Sequence, residues 1–191
     1  MVVYDNSKND LNYVKEMSPR HPEVCSDPVW NALRFFMTEV LYKALRESEP
    51  MPALWDYVER VCSESVERRR DMPVRFLLTV AHHLGIEPFD NYSHREPYFD
   101  LQEGRFVSTP TETTLSPDLS VFLHQYQLSF HPAALQACDR SGASLSHTIS
   151  PSHSPLRQRA DLLNALLSYY HLHLSGFGNF RSHEILHTVL K

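Results

Sequence analysis

Pro28 to Glu47 reads PVWNALRFFMTEVLYKALRE, and its spacing decides the fold. Val29, Leu33, Phe36, Met37, Val40, Leu41, Ala44 and Leu45 recur at intervals of three and four residues, the pattern of one helix face. Asp27 stands at the N-cap position, where a carboxylate can accept the free amides of a first turn. Pro28 follows at the first helical position, where its missing N–H costs nothing. Pro50 ends the run. A stripe this wide needs partners, so the chain is expected to be mainly α.

The flanking sequence supplies those partners. Pro52 to about Glu67 carries Leu54, Val58, Val61, Cys62 and Ser65 on one face, and Arg68, Arg69 and Arg70 close it where cations suit the helix dipole. A third helix is expected from Pro73, with Phe76, Leu77, Val80, Ala81 and Leu84 inward and Gly85 just past its end. Ser116 to Leu128 predicts a helix capped by Ser116, and Pro132 to Cys138 a short one. Pro155 to Leu174 predicts a long helix, and Ser182 to Leu190 a closing one. Between them, residues 139–154 are rich in Ser and His without a period and read as a loop.

Two stretches break the helical period. Residues 86–110 hold prolines and aromatics, and Tyr98–Leu101 with Arg105–Val107 predicts a hairpin turning at Gly104. Residues 1–17 predict a second hairpin, with one strand at Val2–Tyr4 and a second started by Leu11, Tyr13 and Val14, around turn-forming residues. An isolated hairpin is marginal in water, so this one reads as the last piece of a larger sheet.

Composition narrows the function classes. The 191 residues carry a formal charge of −5, so no overall basic stripe marks a nucleic-acid binder, and any DNA contact must be local. Cys25, Cys62 and Cys138 are far apart and odd in number, which suits a reducing cytoplasm and gives no disulfide framework. No apolar run is long enough to span a bilayer.

Three local patterns carry candidate chemistry. His183-Glu184-Ile185-Leu186-His187 matches H-E-x-x-H, in which two histidines one turn apart hold zinc and the glutamate is general base. A zinc hydrolase is therefore one alternative, although no third ligand follows and the stretch is also an ordinary amphipathic helix. Arg68, Arg69, Arg70 and Arg75, beside Phe76 and Leu77, suggest a pocket for an acidic tail ending in an apolar residue, because guanidinium forks hold carboxylates. Arg157, Arg159 and Arg181 are candidate phosphate contacts. His82 and His83 adjoin on a helix and cannot share a metal on one face, and Cys138 reads as structural.

With these residues in view, the chain resembles the RecO family of bacterial recombination mediators, in the form found in Bacteroidetes. The resemblance rests on LNYVKE at 11–16, TEVLYK at 38–43, Arg75-Phe76 through His83-Leu84-Gly85 followed by YFDLQEG at 98–104, and Tyr169-Tyr170 through Gly178 with Arg181–Glu184. It implies an OB-fold, here reduced to its last hairpin at 1–17, and a helical domain over 18–191 with a zinc-finger-like insert at about 86–110. It also implies partnership with RecR, with the acidic, phenylalanine-ended tail of single-strand-binding protein (SSB), and with single- and double-stranded DNA. The activity implied is strand annealing and recombinase loading by a non-enzymatic, cofactor-free protein in the cytoplasm, associated with the nucleoid. Two departures matter. Most of the barrel is missing, which weakens the expected DNA grip, and the insert has no cysteine, so no metal is expected there. A helical scaffold that binds RecR alone is the other alternative.

Overall fold

A computed structural model describes residues 2–4, 13–18, 27–45, 50–63, 71–130, 156–178 and 180–182. Five helices dominate: α1 (Pro28–Ala44), α2 (Pro52–Ser63), α3 (Met72–His83), α4 (Pro117–Phe130) and α5 (Leu156–His173). Strands β1 (Val2–Tyr4) and β2 (Tyr13–Glu16) form one antiparallel pair, and β3 (Tyr98–Asp100) and β4 (Arg105–Val107) form another. The fold is mainly α with two small hairpins. The expected helices at 132–138 and 182–190, and the loop at 139–154, lie outside the described residues apart from Ser182. So do the H-E-x-x-H residues His183, Glu184 and His187.

Local signals acted as their chemistry requires. The Val29 N–H donates to Asp27 Oδ1 at 2.8 Å, so Asp27 caps α1. The Leu119 N–H reaches Ser116 Oγ at 3.4 Å at the start of α4. The expected second strand is described from Tyr13 to Glu16, Leu11 lying outside the described residues, and its register joins Tyr4 to Tyr13 and Val2 to Glu16.

The packing centre is α3 rather than α1. Every residue from Met72 to Ala81 is buried, and α3 touches each of the other four helices. Its sequence explains this. MPVRFLLTVA has Arg75 and Thr79 as its only polar members and no hydrated face, and a helix apolar all round belongs inside. α1 lays Leu33, Phe36, Met37 and Val40 against it. α5 covers another side with Leu162, Leu166 and Tyr170, and burial of each such side chain stabilises by roughly 1.5–3 kcal/mol. The Tyr170 hydroxyl, fully buried, donates to the Leu77 carbonyl at 2.6 Å. Tyr170→Phe is expected to lower stability by about 1–2 kcal/mol in urea unfolding, the loss of one buried hydrogen bond with little change of shape.

The insert is fastened to the helices at several points. The Phe99 N–H donates to Ser120 Oγ on α4 at 2.9 Å, and the Leu115 N–H to the Phe99 carbonyl at 2.8 Å. The hairpin turns at Gly104, whose φ of +68° only glycine adopts without strain. A β-carbon there would also sit 3.0 Å from the Tyr169 hydroxyl oxygen of α5. That hydroxyl donates to the Ile86 carbonyl at 2.8 Å, where the insert begins.

Candidate docking site and the insert beside it

The arginine cluster expected around the α2–α3 junction is split. Arg68, Arg69 and Arg70 lie outside the described residues. Arg75, on the first turn of α3, is 9% exposed, and Phe76 and Leu77 are fully buried. Phe76 stacks on Tyr57 at 6.0 Å between ring centroids. Phe76, expected to offer apolar surface beside the arginines, has its side chain buried in an all-apolar helix.

Arg159, a candidate phosphate contact, faces inward. It is buried, with Nη1 3.5 Å from Asp71 Oδ1. The Tyr126 hydroxyl donates to the same Asp71 oxygen at 3.0 Å. Burial, followed by the Asp71 charge, pushes the Tyr126 hydroxyl far above its usual range, and the charges of Arg159 and Arg75 oppose this. Asp71, Tyr126 and Arg159 thus lock α3, α4 and α5 together. Arg157 and Arg181 are exposed.

A different surface has the shape of a docking site. The last turns of α1 and the start of α2 enclose an apolar groove of about 560 Å³. Its walls are Leu41 of α1, Leu45 just past its end, Met51, and Leu54, Trp55 and Val58 of α2. Leu41 and Leu45 belong to the stripe read as core, but they stand at its edge and are only partly buried. Trp55 is 60% exposed.

The groove runs into a second cavity of about 570 Å³ that shares Leu45, Pro50 and Met51 and adds Lys43, His83, His173 and Ser175. Among the described residues, no carboxylate lines either space. Lys43 bonds Glu39 at 2.8 Å from outside the lining. Burial, and then the neighbouring His82, hold His83 below the usual histidine range. The His173 ring lies 4.1 Å from that of Tyr169, and its Nε2 is 2.9 Å from the Leu101 carbonyl oxygen. Sequence reading missed this pair of cavities. Its signal was the Pro50-Met51-Pro52 break ahead of α2, three residues before an exposed tryptophan, Trp55.

The insert is organised by one carboxylate. Asp100 is 3% exposed. Its Oδ1 accepts the N–H groups of Gln102 and Glu103 at 2.8 and 3.0 Å. Thr111 Oγ1 donates to Oδ2 at 2.7 Å, and Thr113 Oγ1 lies 3.0 Å from both oxygens. Burial raises the Asp100 carboxyl, but Thr111, Glu103, Gln102 and Thr113 outweigh it and hold the group below its ordinary value. Asn91 adds a bridge, accepting the Phe106 N–H and donating to the Phe106 carbonyl. Among the described residues, no three His, Cys, Asp or Glu side chains gather as a metal would need. Among them also, no helix is long and apolar enough to cross a membrane.

No family model and no solved structure matches the chain. Curated relatives do. A DNA repair protein RecO of Azobacteroides pseudotrichonymphae is 25% identical over 98% of this chain and 74% of its own length. That of Christiangramia forsetii is 26% identical over 94% of this chain and 70% of its own. That of Porphyromonas gingivalis is 26% identical, over 94% and 71%. Along nearly its whole length, this chain is similar to the RecO DNA repair proteins of Bacteroidetes.

Proposed function

We propose that this chain acts in DNA repair and recombination as a mediator that works by binding and not by catalysis. In this reading it engages RecR, DNA and the SSB tail, anneals strands, and helps load recombinase on SSB-coated single strands. The observation that carries the docking part is the apolar groove at the α1–α2 corner, continuous with a cavity whose charged or titratable lining groups, among the described residues, are all basic. A peptide with an apolar end and acidic residues before it matches both halves. The apolar side chain sits against Leu41, Leu54 and Trp55, and the carboxylates turn toward Lys43, His83 and His173. An anion arriving there favours protonated imidazole, which offsets the bias that burial imposes on His83.

This moves the apolar seat away from Phe76. Arg68, Arg69 and Arg70 remain candidates for the acidic residues further back along the tail, and Arg157 and Arg181, both exposed, for phosphates. In this reading residues 1–17 are the last strand pair of an OB-fold, residues 18–191 the helical domain, and about 86–110 its insert. The H-E-x-x-H alternative would need a third ligand to join His183 and His187.

The test is fluorescence anisotropy with a labelled SSB-tail peptide, against a control lacking the terminal phenylalanine. Binding should depend on that phenylalanine. Trp55→Ala should weaken it by roughly tenfold or more, the size expected of an aromatic anchor in an interface. Trp55 is mostly exposed, so the variant should keep its circular dichroism and melting temperature. Equal affinity in wild type and variant would remove the groove from the proposal. DNA retention should fall steeply with salt if phosphate contacts carry it.

A further inference from the structure

We infer that Lys43 couples occupancy of the basic cavity to the seating of residues 180–182 on α1; this rests on the reading that the cavity takes the carboxylates of an acidic peptide. Lys43 takes part in three arrangements at once. It lines the cavity. Its Nζ lies 2.8 Å from Glu39 Oε1, one turn back along α1. It also stands 5.1 Å from the centre of the Phe180 ring, a distance at which an ammonium is attracted to the ring face.

Glu39 is the other half of the clip. Its carboxylate accepts the Arg181 N–H at 3.2 and 3.3 Å and the Ser182 N–H at 2.8 Å. Although burial raises Glu39, the donors of Lys43, Ser182 and Arg181 hold it down at about 2, so it is a carboxylate at any ordinary pH. Phe180 completes the seat, edge-on to Phe36 at 5.4 Å and stacked on Phe177 at 5.9 Å. Phe177 follows Leu174 and Ser175, which line the cavity. Cavity wall, α1 and the 180–182 segment therefore meet at one ammonium.

A ligand carboxylate drawing on that ammonium competes with Glu39 and with the Phe180 ring. As Lys43 turns toward the ligand, Glu39 loses the cation that offsets its partial burial, and the segment it holds loosens. Linkage makes the effect reciprocal: whatever frees Lys43 from Glu39 strengthens the peptide by the same factor. An acidic tail would then do more than attach. It would reset the C-terminal side of the helical body on arrival.

The experiment combines peptide anisotropy with amide hydrogen exchange on the full chain, using the SSB-tail peptide as probe. Saturating peptide should speed exchange at the Arg181 and Ser182 amides. Glu39→Gln keeps an oxygen for those amides but releases Lys43, and should tighten the peptide by about fivefold, the lower end of usual coupling. Lys43→Met, which keeps the aliphatic stem, should weaken it by at least about fivefold and abolish the exchange response. Binding with unchanged exchange, and with equal affinity in Glu39→Gln, would overturn the coupling while leaving the docking site standing. Absence of any peptide binding would overturn both.

Discussion

Asp100→Ala should loosen the insert, at a cost of about 1–3 kcal/mol, because four donors lose the charged acceptor on which they converge, although Gln102, Glu103 and Thr111 are exposed and can turn to water. The Gln102 and Glu103 amides and the Thr111 and Thr113 hydroxyls all converge on that carboxylate. Asp100→Asn keeps the shape, but one of its two oxygens becomes a donor facing donors, and about 1–3 kcal/mol should be lost. Urea unfolding measures both, and near-ultraviolet circular dichroism should report the disturbed rings of Phe99 and Phe106, which pack edge to face at 5.0 Å. The pH dependence carries a sign. The folded Asp100 carboxyl lies below its unfolded value, so its contribution is fully present above the unfolded value, about 3.9. The contribution is lost as pH falls through the folded value. In Asp100→Asn this share of the acid loss should vanish, so the gap between wild type and variant should shrink on acidification. A gap that stays constant down to acid denaturation would show that the carboxylate charge is not what holds the loop.

Arg159→Met should destabilise by about 2–4 kcal/mol, since removing one member of a buried pair leaves the other charge poorly compensated. Asp71 would keep the Tyr126 hydroxyl but lose the guanidinium 3.5 Å away. Adding Asp71→Asn should recover part of the loss, and a double-mutant cycle gives the coupling. The same variant separates two roles for this arginine. A residue that holds α5 to the start of α3 changes the unfolding midpoint, whereas a phosphate contact changes the salt slope of DNA binding by about one unit. The slope should be unaltered in folded Arg159→Met and reduced in Arg157→Gln.

These outcomes depend on features that the sequence revealed unevenly. α1, its Asp27 cap and the Gly104 turn were legible because each is written within a few neighbouring residues. The central place of α3 was present in MPVRFLLTVA, yet a one-face reading of its apolar residues hid it, since only the absence of a wet face distinguishes a buried helix from a covering one. Asp100 could not be singled out. Its threonines arrive eleven and thirteen residues later, and nothing local marks them as its partners. Arg159 and Asp71 lie far apart in the sequence, so nothing local marks them as partners. The docking groove was hidden inside a correct element. Leu41 and Leu45 obey the α1 period, yet they are only partly buried, which periodicity alone does not tell. Family resemblance pointed to RecO from strings that include Asp100 and Gly104, without revealing what either residue does.

The Tyr169 phenol has a consequence for the order in which the chain can be built. Its oxygen receives the turn of the insert at Gly104 and holds the carbonyl of Ile86, so the start of the insert and its hairpin turn both wait on α5. A chain folding as it leaves the ribosome makes the insert well before it makes this anchor. Until α5 emerges, α3 likewise lacks the Tyr170 hydroxyl bound to Leu77. The last long helix therefore acts as a keystone: the earlier helices and the hairpin can gather, but they become a fixed body only when it is set. A break in synthesis ahead of α5 would leave apolar α3 uncovered on that side, a target for chaperones and proteases and not a smaller working version of the protein.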